Sequence, residues 1–125
     1  MTSPELTGGA GFTYEDAVAA QYLAAMVAGT TAAALDARVV QRVAQQQADF
    51  GEPLDDVIVD AASLADGTVM RLSLQVKRSL TISEANSDFR EVIQRSWQTL
   101  QKPDFREHVD RVGAVTGSVA EETSR

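Results

Sequence analysis

Residues 69–77 have the sequence VMRLSLQVK, in which apolar and polar side chains alternate from end to end. Successive side chains of a β-strand point to opposite faces, so this alternation predicts a strand with one face buried in a core. Gln75 and Lys77 lie two residues apart and would therefore share the opposite face. The apolar positions, which would line the core, are Met70, Leu72, Leu74 and Val76.

A second strand is predicted before this one, so that the pair forms a β-hairpin. Residues 57–59 are the β-branched run VIV, and Asp66-Gly67 is a favoured pair for a hairpin turn. Antiparallel pairing would bring Asp55 and Asp56, at the start of the first strand, beside residues 75–77 at the end of the second. We therefore expect acidic and amide side chains to meet a lysine at one edge of the sheet.

A helix is predicted before the hairpin, over roughly residues 14–28. Thr13 can cap this helix and Asp16 can complete a capping box. Between the helix and the hairpin, residues 37–47 fit both a helical stripe and a strand alternation. Periodicity leaves these two alternatives open.

A second helix begins after Asn86 or Ser87 and ends before Pro103. Its apolar stripe predicts a buried face, in which Phe89 and Trp97 would be core anchors. A strand over residues 109–116 follows and would lie alongside the hairpin after a crossover. This order predicts an α/β fold with a mixed central sheet flanked by helices. The stripe consists of Phe89, Val92, Ile93, Trp97 and Leu100.

The composition restricts the chemistry that the chain can support. It has 125 residues, which suit one domain with a single core, and it contains no cysteine and one histidine, His108. A metal ion would therefore need oxygen ligands, which favour Mg²⁺ or Mn²⁺. We expect a cytoplasmic protein without a membrane partner, because the sequence contains neither a long apolar stretch nor a secretory signal.

The net charge of −7 argues against strong binding of nucleic acid, which relies on lysine and arginine. The acidity is concentrated in the first half of the chain. Residues 1–70 contain two Arg and ten Asp or Glu, whereas residues 71–125 contain nine Lys or Arg and eight acids. Carboxylates at a metal site are neutralised by the cation, so the overall charge does not exclude a nuclease.

Asp56 followed by Gln75-Val76-Lys77 resembles the D…(E/Q)-x-K signature of the PD-(D/E)XK nuclease superfamily, in the glutamine form of Mrr-like restriction enzymes. Residues 11–15 resemble the glycine-aromatic-acid opening of the first helix of that family. Residues 53–57 and 74–78 resemble nuclease domains fused to the STAND-type ATPases of anti-phage defence. The resemblance extends over about residues 11–117 and implies a restriction-endonuclease-like α-β-β-β-α-β core, with residues 37–47 as the first strand.

The resemblance also implies a role for each residue of the signature. Asp56 would ligate Mg²⁺ or Mn²⁺, Gln75 would replace the usual second acidic ligand, and Val76 would add its backbone carbonyl. Lys77 would orient the attacking water and stabilise charge on the phosphate. Because Gln75 is neutral, the site would have one negative charge fewer than the glutamate form, which leaves open a weak or inactive site.

Glu15 and Asp55 are two further candidates. Glu15, on the first helix, would hold a metal-bound water or ligate the metal itself, or would only favour the positive end of its helix. Asp55 is an alternative metal ligand. If the strand buries residues 57 and 59, Asp55 shares their face and Asp56 lies on the opposite one, so Asp56 is preferred.

The resemblance implies a metal-dependent endodeoxyribonuclease domain that hydrolyses double-stranded DNA as the effector of a larger bacterial anti-phage protein. It implies a homo-oligomer and covalently linked ATPase and sensor domains. Residues 1–12 would be a flexible segment, residues 13–117 the nuclease-like domain, and residues 118–125 a tail or linker. Two alternatives stay open: a catalytically inactive nuclease-like module for DNA binding or assembly, and an unrelated protein-interaction domain. The sequence leaves open the cleavage specificity and the choice between DNA and RNA.

Overall fold

The computed structural model describes residues 13–46, Leu54 and residues 56–121. The predicted α/β fold is confirmed: the strands form one mixed sheet of four, with two helices. Neither helix within the described ranges is long and apolar enough to cross a membrane. In chain order the elements are helix α1 (Tyr14–Ala28), strands β1 (Arg38–Gln45), β2 (Val57–Ser63) and β3 (Val69–Ile82), helix α2 (Ser87–Leu100) and strand β4 (Arg111–Glu121).

The sheet has the strand order β1-β2-β3-β4. β2 pairs with β1 and with β3 in antiparallel fashion, which confirms the hairpin, and β4 lies parallel to β3 after the α2 crossover. The ambiguous residues 37–47 contain strand β1, so the strand alternative holds. β3 is longer than predicted, since it pairs with β2 only as far as Leu74 but with β4 as far as Ile82. Residues 75–77 therefore lie where the β2 ladder stops, and not at the end of β3.

Helix α1 begins where the sequence predicts. Thr13 Oγ1 accepts the backbone N–H of Asp16 at 3.1 Å, and the Asp16 carboxylate accepts the backbone N–H of Thr13 at 2.9 Å. These two bonds complete the capping box. The helix ends at Gly29, whose φ of 69° is a left-handed conformation that glycine adopts without a steric penalty. Val18 and Tyr22 are buried against the sheet.

The two faces of the sheet are covered by different helices. The face that carries Val57 and Leu74 forms the main apolar core with α1. α2 covers the opposite face, where Thr99 Oγ1 accepts the backbone N–H of the buried Leu54 at 3.3 Å. This second face also carries the buried polar residues Ser73 and Gln75. The polar members of the alternating strand thus lie under a helix instead of in solvent.

The prediction that Trp97 anchors the core is wrong. Its side chain is 61% exposed, Ile93 and Leu100 are exposed with it, and the second predicted anchor, Phe89, is only partly buried. Within the stripe, α2 buries Val92 alone. The physical reason is that α2 turns the face with Val92 and Thr99 toward the sheet, which leaves the rest of the apolar stripe outside the contact. Periodicity marked an apolar face of α2 without specifying what would cover it.

Gly117 in β4 is a position at which an added side chain would clash with the neighbouring strand. A Cβ there would lie 2.9 Å from the backbone oxygen of Arg78, whereas at Gly113 it would meet the Leu74 side chain at 3.4 Å. We expect Gly117→Ala to lower the free energy of unfolding by about 1–3 kcal/mol, because β3 and β4 must move apart. Gly113→Ala is the matched control and should change it by less than about 1 kcal/mol. Urea denaturation measures both values, and equal losses in the two variants would contradict the prediction.

Candidate functional site at the end of the β2 ladder

Asp56 lies directly before β2, beside the backbone of residues 75–77. Its Oδ2 accepts the backbone N–H of Val76 at 2.7 Å, a short charge-assisted hydrogen bond. Val57 pairs with Leu74, so the register extended by one residue places Asp56 opposite Gln75 and on the same face. Asp56 and residues 75–77 thus meet at one place in the sheet.

The main chain of Val76 also takes part in this arrangement. The N–H and C=O of one strand residue point to the same side of the strand. Since the Val76 N–H donates to Asp56, the Val76 carbonyl oxygen faces the same side of β3. The Val76 side chain instead packs against the apolar core on the α1 face. Packing of this side chain therefore fixes the position of a carbonyl oxygen in the candidate site.

Gln75 is a buried polar residue under α2, with a side chain only 5% exposed. Its Oε1 is buried, and no described residue donates a hydrogen bond to it. Leaving a buried acceptor unpaired costs about 1–3 kcal/mol, so the amide is unfavourable for stability. An amide oxygen beside a carboxylate is, however, a suitable ligand for a hard divalent cation.

Lys77 follows Gln75 on the same face and reaches α2. Its Nζ lies 3.1 Å from Glu91 Oε1 and 3.8 Å from Asp88 Oδ1. The Lys77 side chain is 20% exposed. The ammonium group is thus held between β3 and α2, partly open to solvent.

Glu15 lies at the same end of the sheet, on the α1 side. Its Oε1 accepts a hydrogen bond from Gln46 Nε2 at 3.5 Å, and the backbone N–H of Gln46 donates to the Asp56 carbonyl at 3.3 Å. The neighbouring Asp16 belongs to the helix cap, and hydrogen bonds from the Gln45 side chain and from the capping backbone amide hold its pKa below the usual value. Glu15 is therefore connected to Asp56 through one intervening residue.

Of the predicted site residues, the structure brings Asp56 into contact with the backbone of Val76. Gln75 and Lys77 flank Val76 in β3, and the Lys77 ammonium group contacts Glu91 on α2. Asp55 lies outside the described residues. Sequence reasoning missed Glu91, the acid on α2 that pairs with Lys77. The available signal was only its place next to the buried Val92, because the pairing depends on how α2 crosses β3.

The candidate oxygen ligands at this place are the Asp56 carboxylate, the buried Gln75 side-chain oxygen and the Val76 carbonyl oxygen. Within the described ranges, no group of three or more His, Asp or Glu side chains is arranged to hold a metal ion. Among the described residues, a cation at this place would have the Asp56 carboxylate as a charged ligand, with Glu15 nearby on the α1 side. Such a cation would keep several waters, as Mg²⁺ usually does.

Comparison with protein-family models, curated proteins and solved structures finds no match for the chain. The functional assignment therefore depends on the chemistry of this site. A carboxylate with two neutral oxygens can hold a divalent cation, and an adjacent ammonium group can neutralise developing negative charge. This combination suits hydrolysis at a phosphate.

Proposed function

We propose that the chain is a Mg²⁺-dependent endonuclease domain with a restriction-endonuclease-like fold and the glutamine form of the PD-(D/E)XK site. The observation that carries the proposal is the hydrogen bond from Val76 N–H to Asp56 Oδ2, next to the buried Gln75 amide. The element order α-β-β-β-α-β is compatible with this finer fold assignment.

In this proposal Asp56, Gln75 and the Val76 carbonyl hold Mg²⁺ or Mn²⁺. The residues fit such an ion because Gln75 Oε1 is a buried oxygen to which no described residue donates a hydrogen bond. When bound, a divalent cation polarises the phosphate and makes water a better nucleophile at neutral pH. Gln75 lacks the negative charge of the commoner glutamate. We therefore expect the metal site to be half-saturated at a higher Mg²⁺ concentration than a site with two carboxylates.

Lys77 contacts the phosphate and orients the attacking water. Its ammonium group is a compact charge with three donors, which can bind a non-bridging phosphate oxygen and a water together. The Lys77 side chain is partly exposed, which such a contact with a phosphate requires. Glu15 holds a water from the α1 side in this scheme.

The proposed substrate is double-stranded DNA, and the proposed setting is a larger anti-phage protein with ATPase and sensor domains. One site cuts one strand, so a double-strand break requires a homo-oligomer or two successive cuts. The region that carries β3, α2 and β4 is the more cationic half of the chain, with nine Lys or Arg in residues 71–125. Phosphate binding relies on such charges.

The test is cleavage of supercoiled plasmid by the purified protein in Mg²⁺, Mn²⁺ or EDTA. We expect nicking with either metal and none in EDTA. Asp56→Asn should abolish nicking, because the amide keeps an acceptor for Val76 N–H but lacks the negative charge of the proposed metal ligand. Asp66→Asn, in the β2–β3 turn, is the matched control and should cut like the wild type. Nicking in EDTA, or full activity of Asp56→Asn, would overturn the proposal.

A catalytically inactive module for DNA binding or assembly is the second candidate. It is favoured by the neutral Gln75 and by the two acids that already engage Lys77. Binding of a DNA duplex at low salt without cleavage in any metal would support this candidate. Gel-shift and nicking assays on the same protein preparation separate the two functions.

A further inference from the structure

The ion pair between Lys77 and Glu91 joins the central strand of the candidate site to helix α2. Glu91 Oε1 accepts a hydrogen bond from Lys77 Nζ at 3.1 Å, and its other oxygen lies 3.7 Å from the Arg95 guanidinium. Glu91 is thus bound from two sides on one helix face. Asp88 is farther from Lys77, at 3.8 Å, and is 61% exposed.

We infer that Glu91 is a positioning residue for Lys77 in the proposed cleavage reaction. This inference rests on the nuclease function proposed above. A lysine side chain has four rotatable bonds, and an unpaired one samples many rotamers. Glu91 limits this freedom and keeps the ammonium group over the face that carries Gln75 and Asp56. Arg95 in turn limits the freedom of Glu91.

An ordinary surface ion pair would have a different consequence. Such pairs contribute little to stability, and their removal leaves distant chemistry unchanged. A positioning role predicts instead that loss of Glu91 changes the behaviour of the Lys77 amine and the rate of the chemical step. It predicts little change in substrate binding or in folding.

The first readout is the reactivity of the Lys77 amine, which requires no nuclease activity. The chain contains only two lysines, Lys77 and Lys102. They are matched in exposure, at 20% and 19%, and Lys102 is paired with Asp104 at 3.7 Å. We expect Glu91→Gln to raise the rate of Lys77 acetylation by N-hydroxysuccinimidyl acetate several-fold, because the carboxylate no longer shields the amine. The rate at Lys102, measured by peptide mass spectrometry on the same sample, should stay unchanged.

The second readout is steady-state cleavage of DNA in Mg²⁺. We expect Glu91→Gln to lower kcat about tenfold with KM unchanged, since small displacements of a reacting group are costly. Glu91→Asp, which keeps the charge on a shorter side chain, should recover part of kcat. Circular dichroism and the melting temperature show whether each variant folds. If Glu91→Gln does not fold, the kinetic comparison is made between Glu91→Asp and the wild type.

Each outcome decides a different point. Unchanged Lys77 acetylation in Glu91→Gln, or equal changes at both lysines, overturns the positioning role. A rise in cleavage also overturns it, since Glu91 would then compete with the phosphate for Lys77. Absence of cleavage by the wild type in every metal contradicts the proposed nuclease function itself. A change in Lys77 acetylation would then show only that Glu91 contacts Lys77, without a role in catalysis.

Discussion

Lys77→Ala is expected to slow the proposed metal-dependent DNA cleavage by about a hundredfold or more, because the proposed mechanism uses this ammonium group to neutralise the charge that develops on the phosphate. The fold should be retained. The lost interaction is a partly exposed ion pair with Glu91, and such pairs contribute about 0–1 kcal/mol to stability. The measurement is the rate of plasmid nicking in Mg²⁺, with the melting temperature of each variant recorded alongside.

Lys102→Ala is the matched control for this prediction. Lys102 is 19% exposed and paired with an acid, as Lys77 is, but it lines a different pocket, with Arg71 and Asp110. We expect Lys102→Ala to cut at the wild-type rate. Similar losses in both variants would mean that the effect reflects total charge for DNA binding. Wild-type cleavage by Lys77→Ala would remove lysine from the proposed mechanism.

The local patterns of the sequence predicted most of the fold. The alternation in residues 69–77 placed Leu74 in the core and Gln75 on the opposite face, and the structure agrees. Thr13 and Asp16 marked the start of α1 because capping depends on residues close in sequence. Such features are encoded by neighbouring residues, and they can be predicted without knowledge of the tertiary structure.

Properties that depend on contacts between distant elements were harder to predict. The length of β3 depends on its parallel partner β4, whose register with residues 78–82 no local pattern specifies. The exposure of Trp97 depends on how much apolar surface the sheet offers to α2. Side-chain periodicity describes one helix or strand, whereas the burial of its side chains depends also on the element that packs against it.

The candidate site shows the same division. The hairpin register made the approach of Asp56 to residues 75–77 predictable. The burial of Gln75 was not predictable, because a strand residue on the polar face is exposed unless a helix covers it. Glu91 reaches Lys77 only through the crossing of α2 over β3. Residues brought together by a hairpin can thus be predicted more readily than those brought together by packing of a helix on a sheet.

Gln75→Leu is expected to abolish the proposed metal-dependent cleavage while leaving the free energy of unfolding unchanged or raising it by about 1–2 kcal/mol. The substitution removes a buried oxygen to which no described residue donates and fills the space with apolar atoms. Thr99→Val is the matched control, because Thr99 is equally buried but its hydroxyl bonds to Leu54 N and Arg95 O. It should lower the free energy of unfolding by about 1 kcal/mol or more. Urea denaturation in EDTA measures the free energy of unfolding of both variants.

Gln75→Glu gives the complementary result. A carboxylate at a position that is 5% exposed is poorly solvated, so in EDTA the variant should melt below the wild type, with a loss of about several kcal/mol in stability. Mg²⁺ or Mn²⁺ should raise its melting temperature more than that of the wild type, since an ion that binds only the folded state stabilises it in proportion to its affinity. Gln75→Leu should show no metal-dependent rise in melting temperature.

Two outcomes would contradict these predictions. If Gln75→Leu lowers the free energy of unfolding as much as Thr99→Val does, the Gln75 amide must have a hydrogen-bond partner in the folded protein. A Gln75→Glu variant without a metal-dependent shift would exclude a divalent cation at this position, because a buried carboxylate beside Asp56 is the strongest ligand that the position can offer.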